Sequence, residues 1–255
     1  MTTPPRVLIT GGTTGIGLGL ARRFAGTGSD VIITGRSSER IDAVSAEIDQ
    51  VTGIAGDLSD PRDRVSLAAA VVEVDVLINN AGIQRRVGLA EDHSTWEERQ
   101  RELDLLLSAP IHLTDLLLPA MLCHGRPATI VNVTSGGAFI PQPFAPGYSA
   151  AKAGLHSHTL NLRHALAGTS VRVVELIPPA VATALSGLDH PHGADVDDFC
   201  DTAFAALQTE ALEIGFGPTA DSAFIDRLQL DRERFEHSAS RFPVAGYHDR
   251  RARLA

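Results

Sequence analysis

Cysteine is scarce in this sequence, and its two copies form no recognisable pattern. Cys123 and Cys200 lie far apart, and neither has a cysteine or histidine partner at a metal-ligand spacing. Disulfide frameworks and structural zinc sites depend on such spacings, so the sequence argues against both. We expect no metal site and two reduced thiols, as in a cytoplasmic protein.

A surplus of positive charge is also lacking. The formal net charge is -9 at pH 7, and the one dense basic run is Arg250, Arg251 and Arg253. Binding to nucleic acid needs a clustered basic face that neutralises phosphates. The sequence therefore predicts no nucleic-acid partner.

Long apolar runs and interdomain linkers are missing as well. No run approaches the ~18 residues that span a bilayer, and strand-like sequence already begins at Val7, too early for a signal peptide. A hydrophobic content of 44% suffices for one large core. We predict one domain over 1–255 with no membrane partner. Its expected parts are a cofactor-binding part (about 6–135), a catalytic and substrate-binding part (about 135–217) and an irregular C-terminal segment (218–255).

Apolar, β-rich runs alternate with helix-patterned segments. The predicted strands are Val7–Thr10, Val31–Thr34, Val51–Ala55, Val76–Asn79, Thr129–Thr134, Val171–Ile177 and, more weakly, Glu213–Phe216. The predicted helices are Gly15–Ala25, Ser38–Ile48, Pro61–Val72, Thr95–Cys123, Ser149–Ala167 and Asp197–Leu207. Most of the strands are continuous apolar runs, so both faces of the sheet should be covered. The alternation predicts an α/β fold with a doubly wound, Rossmann-type parallel sheet between two helical layers.

A glycine loop follows the first predicted strand and opens the first predicted helix. Its glycines are Gly11, Gly15 and Gly17, in the spacing G-x-x-x-G-x-G. Glycine lets the backbone turn sharply and approach a pyrophosphate, which then lies at the helix N-terminus. The alternative, a tight glycine-rich turn without a ligand, does not account for this placement as well. The loop predicts a dinucleotide site.

The end of the second strand bears on which dinucleotide binds. Sites that prefer NAD place an acid near this point to bind the ribose 2′-hydroxyl. Here Gly35 has no side chain, and Arg36 could pair with a 2′-phosphate. We favour NADP(H), with NAD(H) as the alternative.

Two further strand ends carry polar residues. Asp57 follows the third strand and could bind the adenine ring, although an aspartate there could equally cap a helix. Asn79 and Asn80 close the fourth strand, where paired amides can tie adjacent strands together. These residues support the cofactor site without performing chemistry.

Tyr148 and Lys152 form the candidate proton-transfer pair. They are spaced i, i+4 at the start of a helix, so their side chains share one face. A nearby ammonium stabilises a phenolate and should lower the pKa of the phenol from ~10 towards neutrality. The chain has 21 arginines but a single lysine, and that lysine is Lys152. A tyrosine merely packed on a lysine stem would leave this coincidence unexplained.

Ser135 directly follows the fifth predicted strand. Its hydroxyl should emerge at the carboxyl end of the sheet, where ligands of open α/β folds bind. There it could hydrogen-bond a carbonyl or hydroxyl oxygen and steady developing charge.

These motifs together resemble the short-chain dehydrogenase/reductase family, in its branch of single-domain enzymes. The matching motifs are Thr10–Gly17, Asp57, Asn79–Gly82, Ser135, Tyr148-x-x-x-Lys152 and the stretch Pro178–Thr183. The resemblance implies that Tyr148 exchanges the proton, Ser135 orients the substrate oxygen and Lys152 also binds the nicotinamide ribose. Thr183 would contact the carboxamide, and the protein would be a homodimer or homotetramer. The expected cofactor-binding residues are Gly11, Thr13, Gly15, Ile16, Gly17, Arg36, Asp57, Leu58, Asn80, Ala81, Gly82, Tyr148, Lys152, Pro178, Val181 and Thr183.

The sequence departs from the family pattern at two positions. Leu106 stands where the family usually has an asparagine that helps hold a water for proton relay, and its neighbours Asp104 and Ser108 should face elsewhere on the helix. Pro179 replaces a more usual glycine, a change of loop shape.

The sequence allows four hypotheses for the function of this chain to be compared. The first is a reductase or dehydrogenase that interconverts a carbonyl and a secondary alcohol. The second is a weakly catalytic nucleotide sensor on the same fold, which Leu106 alone supports. A nucleotide-sugar epimerase would show a different glycine spacing and a longer C-terminal domain. A serine hydrolase would need a nucleophile elbow and an acid–histidine pair, and neither is evident in the sequence.

Overall fold

The structure is a computed structural model that describes residues 4–71, 73–183, 185 and 193–249. The terminal basic run and Val72, the predicted end of the third helix, lie outside the described residues.

Seven parallel strands form one sheet. The strands are β1 (Arg6–Ile9), β2 (Asp30–Gly35), β3 (Val51–Ala55), β4 (Val76–Asn79), β5 (Ala128–Val133), β6 (Val171–Ile177) and β7 (Glu213–Gly215). Their order across the sheet is β3-β2-β1-β4-β5-β6-β7. The chain reverses its winding direction between β1 and β4, which opens a crevice at the carboxyl ends of these strands. The sheet confirms the predicted doubly wound fold.

Helices cover both faces of the sheet. They are α1 (Gly15–Gly26), α2 (Ser38–Glu47), α3 (Pro61–Ala70), α4 (Trp96–Leu103), α5 (Ala109–Cys123), α6 (Pro146–Ala165), α7 (Val196–Leu207) and α8 (Ser222–Arg241). One core lies under α1 and α7, where Leu20 and Phe199 are fully buried. The other lies under α3, α5 and α6, where Leu113 and Met121 are almost fully buried. Burial on both faces explains why the strands read as continuous apolar runs.

The long central helix is interrupted. Thr95 and Glu98 form a capping box at the start of α4, and the backbone widens into a π-helical turn over Asp104–Ser108 before α5 begins. The stretch Trp96–Cys123 is long and apolar enough to cross a membrane by length and composition, which the search for apolar runs missed. Core helices pass the same test, and Leu105, Leu113 and Met121 of this stretch pack in the core described above.

Part of the C-terminal segment, which was predicted to be irregular, forms a regular helix over Ser222–Arg241. Asp221 caps α8 by accepting a hydrogen bond from the Phe224 backbone N–H, and the helix runs for 20 residues. Phe224 is the one residue buried in this helix, where it packs edge-to-face on Phe139.

Candidate active site

The glycine loop is shaped by close backbone packing. Gly11 and Gly15 have φ angles of 66° and 55°, in the left-handed region that favours glycine. A Cβ on Gly17 would lie 2.3 Å from the Gly11 carbonyl oxygen and 2.5 Å from Asn80 Nδ2. Thr14 at the start of α1 makes no side-chain capping bond. Thr14 therefore leaves the backbone N–H groups of the first turn of α1 uncapped, beside a loop in which Gly11, Gly12 and Gly15 have no side chain. This arrangement is a cradle that fits a pyrophosphate.

The end of β2 lies against this loop. A Cβ on Gly35 would be 2.9 Å from Thr13 Cγ2, so Thr13 itself leaves little room for an acidic side chain at position 35. The next residue, Arg36, is exposed. Ser37 caps α2 by accepting from the Arg40 backbone N–H. The cap is thus supplied by serine, and the Arg36 side chain has no part in starting the helix.

Asp57 is held by neighbours of its own. Its Oδ1 accepts hydrogen bonds from the backbone and side chain of Ser59, and its Oδ2 pairs with Arg101 on α4. Burial acts to raise the pKa of Asp57, but these hydrogen bonds outweigh it and hold the pKa below its usual value. The helix cap that Asp57 could have supplied comes instead from Asp60. Leu58 packs its side chain into the core beneath α3.

Asparagine amides join the strand ends around the crevice. Asn79 Nδ2 donates to Asn132 Oδ1 at 2.9 Å, which links β4 to β5. Asn80 Nδ2 donates to the Thr10 carbonyl at 2.9 Å, and the Ala81 backbone N–H donates to Thr10 Oγ1 at 3.0 Å. The predicted tying of adjacent strands by paired amides is confirmed.

A cavity of about 630 Å³ opens at the carboxyl ends of the strands. The predicted site residues in its wall are Ile16, Asn80, Gly82, Ser135, Tyr148, Lys152, Pro178, Val181 and Thr183. The predicted residues outside this wall are Gly11, Thr13, Gly15, Gly17, Arg36, Asp57, Leu58 and Ala81. Two contacts link the wall to the loop. A Cβ on Gly15 would lie 3.1 Å from Thr183 Cγ2, and one on Gly11 would lie 2.9 Å from Ala81 Cα.

Tyr148 and Lys152 meet at the floor of this cavity. Both lie in the first turns of α6 and are buried, with 6% and 4% of their surfaces exposed. Lys152 Nζ lies 5.7 Å from the centroid of the Tyr148 ring and donates a 2.6 Å hydrogen bond to the Val133 carbonyl. The predicted placement of both side chains on one helix face is confirmed.

The expected lowering of the Tyr148 pKa is wrong for this structure. Burial raises the pKa of the phenol, and the nearby carboxylate of Glu102 pushes in the same direction, while Ser135 acts to lower it. Burial also lowers the pKa of Lys152 to about 8. The spacing of the pair indicated proximity, whereas the cost of burying either charge decides both pKa shifts.

Ser135 follows β5 and faces the cavity. Its Oγ accepts a 3.0 Å hydrogen bond from the Gly137 backbone N–H, which opens a short 3-10 turn. The Gly136 N–H donates to the Pro178 carbonyl at 2.9 Å. The hydroxyl is thereby fixed between β5 and the loop after β6.

A buried network supports this strand end from behind. Glu175 on β6 has no exposed surface, and its carboxylate accepts a 2.7 Å hydrogen bond from Thr134 Oγ1. His156 Nδ1 lies 2.9 Å from Glu175 Oε2, and its ring packs on Phe139. A buried carboxylate is costly unless its oxygens are paired, so this network fixes Thr134 next to Ser135. His156 and Glu175 thus form an acid–histidine pair that was not evident in the sequence, and this pair supports Thr134. Among the described residues, no group of three His, Cys, Asp or Glu could hold a metal ion.

Leu106 lies against Tyr148. It is fully buried in a small cluster with Ala145, Tyr148 and Ala151. Asp104 and Ser108 instead bond to each other, with Ser108 Oγ 3.4 Å from Asp104 Oδ1. This confirms that neither of them replaces an asparagine at position 106.

Part of the cavity wall was not predicted from the sequence. Gln84, Arg86, Leu185, Thr219 and Phe224 also line the cavity. Asp221 before a Phe224/Leu228 pair at i, i+4 spacing was an available signal for the start of α8. The positions of Gln84 and Arg86 in the wall had no comparable signal. Both residues lie in a loop, and sequence periodicity does not predict the geometry of loops.

The single lysine makes its pKa directly measurable. In protein carrying ¹³C-labelled lysine, we expect one side-chain resonance, titrating near pH 8 instead of near ~10.4 as in a free lysine. Burial of the ammonium is the cause, and NMR titration of the cofactor-free protein is the measurement. A midpoint above about 10 would contradict the burial described here.

The same shift predicts how stability changes with pH. The folded-state pKa lies below the unfolded value, so the folded protein binds fewer protons from about pH 8 to about pH 10. The free energy of unfolding should rise through this window, on the order of 3 kcal/mol relative to Lys152→Met, which lacks the titrating group. Parallel stability profiles for the two proteins would contradict this.

Comparison with known protein families gives a match over most of the chain. A model described as "short chain dehydrogenase" matches residues 5–191. The uncharacterized oxidoreductase DltE of Bacillus subtilis is 40% identical over 184 residues, covering 71% of this chain and 73% of the relative. The NADP-dependent 3-hydroxy acid dehydrogenase YdfG of Salmonella typhi is 36% identical over 183 residues, covering 69% and 72% of the two chains.

Solved structures give the same result over a longer range. A short-chain dehydrogenase from Sphingobium yanoikuyae in complex with NADPH aligns with a TM-score of 0.83 and 28% identity. The alignment covers 91% of this chain and 95% of that one.

Proposed function

The chain belongs to the short-chain dehydrogenase family, and from that premise we propose that it interconverts a carbonyl and a secondary alcohol with NADP(H). The observation that carries the proposal is the grouping of Ser135, Tyr148 and Lys152 on the wall of one cavity, next to the glycine loop. A hydrolase or a simple binding module has no need of a buried phenol beside a buried ammonium.

In the proposed mechanism, the residues of this chain supply the proton and hold the substrate oxygen. The bound cofactor supplies or accepts the hydride. In the reductive direction Tyr148 donates its phenolic proton to the substrate oxygen as the C–H bond forms, and the hydroxyl of Ser135 donates a hydrogen bond to that oxygen. Lys152 holds its positive charge beside the phenolate that Tyr148 becomes. In the oxidative direction the same proton moves back to the phenolate.

The cradle for the cofactor consists of residues already described. The Gly11–Gly17 loop and the N-terminus of α1 would hold the pyrophosphate, and Thr183 would contact the carboxamide. Arg36, exposed beside Thr13 and Gly35, would pair with the 2′-phosphate.

A substrate panel tests the proposed function. Ketones, aldehydes, oxo acids and secondary alcohols should be screened with NADP(H) and NAD(H) by nicotinamide absorbance. Oxo acids are included because one relative is named for 3-hydroxy acids. Turnover on at least one compound is expected. Tight cofactor binding without any turnover would favour a nucleotide sensor, the second candidate, which rests on the fully buried Leu106 beside Tyr148.

Arg36→Ala should shift the cofactor preference. Loss of a charge-assisted pair with the 2′-phosphate should weaken NADP(H) binding by about 10- to 100-fold, while NAD(H) binding changes little. Calorimetric titration of both cofactors into the two proteins measures the shift. Arg40→Ala, which removes an exposed arginine in the first turn of α2, is the matched control. An unchanged ratio of affinities would refute the NADP(H) preference.

We further propose that the protein is a cytoplasmic homodimer or homotetramer. The half-buried Leu103 and Leu107 lie on α4 and the π turn, and Leu107 contacts α6 at Gly154. A partner subunit seated on this surface would complete the burial of these leucines.

A further inference from the structure

The charge in the cavity wall has one sign. Among the lining residues that the structure describes, Arg86 and Lys152 carry positive charge and no aspartate or glutamate is present. Lys152 is buried at the floor beside Tyr148, whereas Arg86 is exposed on the loop after β4. The proposed mechanism uses Lys152 and gives Arg86 no role.

Neighbouring residues in the cavity wall hold the Arg86 guanidinium in place. Its Cζ lies 4.4 Å from the centroid of the Phe144 ring, and its Nη1 donates to Gln84 Oε1 at 3.2 Å. Gln84 Nε2 in turn donates to Gln142 Oε1 at 3.1 Å. Phe144, Gln84 and Gln142 all line the cavity. A stacked and hydrogen-bonded guanidinium loses little conformational freedom when it binds a ligand.

The adjacent arginine behaves differently. Arg85 pairs with Asp92 at 2.8 Å, and its backbone N–H donates to Glu102 Oε1. Arg85 does not line the cavity, and its ion pair with Asp92 holds the loop instead. Arg86, in contrast, is part of the cavity wall, where its guanidinium lies on the Phe144 ring.

We propose that Arg86 binds a carboxylate on the substrate, so that the protein acts on oxo acids and their hydroxy-acid counterparts. This inference rests on the proposed oxidoreductase function and specifies its substrate class. Guanidinium matches a carboxylate through paired N–H donors. The surrounding wall includes Ile140, Pro143 and Phe144, whose apolar side chains could not bind a carboxylate themselves. A neutral ketone of the same shape would gain nothing from Arg86.

Paired substrates isolate the charge. A series of oxo acids that differ in the distance from carbonyl to carboxylate, such as acetoacetate and levulinate, is assayed beside the corresponding methyl esters. In the wild-type protein kcat/KM should favour at least one acid over its ester by about tenfold or more. Arg86→Met should lower kcat/KM for that acid by about 10- to 100-fold, mainly through KM, and change the ester by less than about threefold.

Two further variants and a binding measurement make the result specific. Arg86→Lys keeps the charge but not the planar donors, and it should recover part of the acid preference. Arg22→Met removes an exposed arginine on α1 that pairs with Glu47 far from the cavity, and it should change neither substrate. Butanoate is an acid without a keto group to reduce. It should inhibit the wild-type protein competitively and should inhibit Arg86→Met about tenfold more weakly.

The possible failures are distinguishable. Equal turnover of acids and esters by the wild-type protein would overturn the role of Arg86 and leave the oxidoreductase function standing. No turnover of any acid, ester or neutral ketone would overturn the proposed function itself. A loss of NADP(H) affinity in Arg86→Met, with the acid preference intact, would assign Arg86 to the cofactor and refute the proposal.

Discussion

Tyr148→Phe should lower kcat by about 10³-fold, because it removes the group that exchanges the proton with the substrate oxygen. The ring remains, so the cluster formed with Leu106, Ala145 and Ala151 keeps its packing. Cofactor affinity should fall by no more than about tenfold, the value of one hydrogen bond. Steady-state kinetics on the best substrate of the panel and calorimetric titration of NADP(H) provide the two measurements.

The chain offers a matched control for this substitution. Tyr247 is the only other tyrosine and packs at the margin of the core under α3, α5 and α6. Tyr247→Phe should leave kcat within about twofold, as for a substitution away from the chemistry. Full activity in Tyr148→Phe would refute the proposed mechanism, whatever the result for Tyr247.

Gly17→Ala should abolish tight cofactor binding. The new Cβ would lie 2.3 Å from the Gly11 carbonyl oxygen and 2.5 Å from Asn80 Nδ2, so the backbone of the loop must move. We expect a loss of affinity of at least about 100-fold, and overpacking should cost about 1–3 kcal/mol of stability. Calorimetric titration and urea denaturation measure the two effects.

Gly26→Ala in the same helix is the control. Nothing lies within 4 Å of a Cβ built on Gly26, at the last turn of α1. Alanine there should leave cofactor binding unchanged and stabilise the protein by up to about 1 kcal/mol, because it favours helix over the unfolded chain. If Gly17→Ala bound the cofactor as tightly as Gly26→Ala, the close packing of the loop would play no part in recognition.

The strand–helix alternation, the glycine loop and the Tyr148–Lys152 pair could all be predicted, because each depends on residues close in the sequence. The interruption at Asp104–Ser108 could not, since an Asp-Leu-Leu-Leu-Ser stretch is consistent with an ordinary helix. Its neighbours in space, Tyr148 and Gly154, come from a different helix. Local propensity has no access to such tertiary contacts.

The pKa shifts of the site residues and the composition of the cavity wall could not be predicted from the sequence, for a related reason. The spacing of Tyr148 and Lys152 indicates that the two groups are near each other, but the pKa shifts depend on how much protein surrounds them. The surroundings of Arg85 and Arg86 likewise differ: Arg85 pairs with Asp92 of the same loop, whereas Arg86 lies on Phe144, which the fold brings from elsewhere in the chain. Sequence patterns predicted the helices and strands, whereas the surroundings of each charged side chain depend on tertiary packing.

The burial of Lys152 has a practical consequence. Because it is the only side-chain amine and only 4% of its surface is exposed, an amine-reactive reagent should modify it only when the protein opens. The labelling rate of Lys152 would then report the population of open molecules when reclosing is fast, and the opening rate itself when the reagent outpaces reclosing. A cofactor that holds this part of the fold closed should slow the labelling in proportion to its concentration above its Kd. One mass-spectrometric time course could thus measure both the stability of this region and the ligands that bind it.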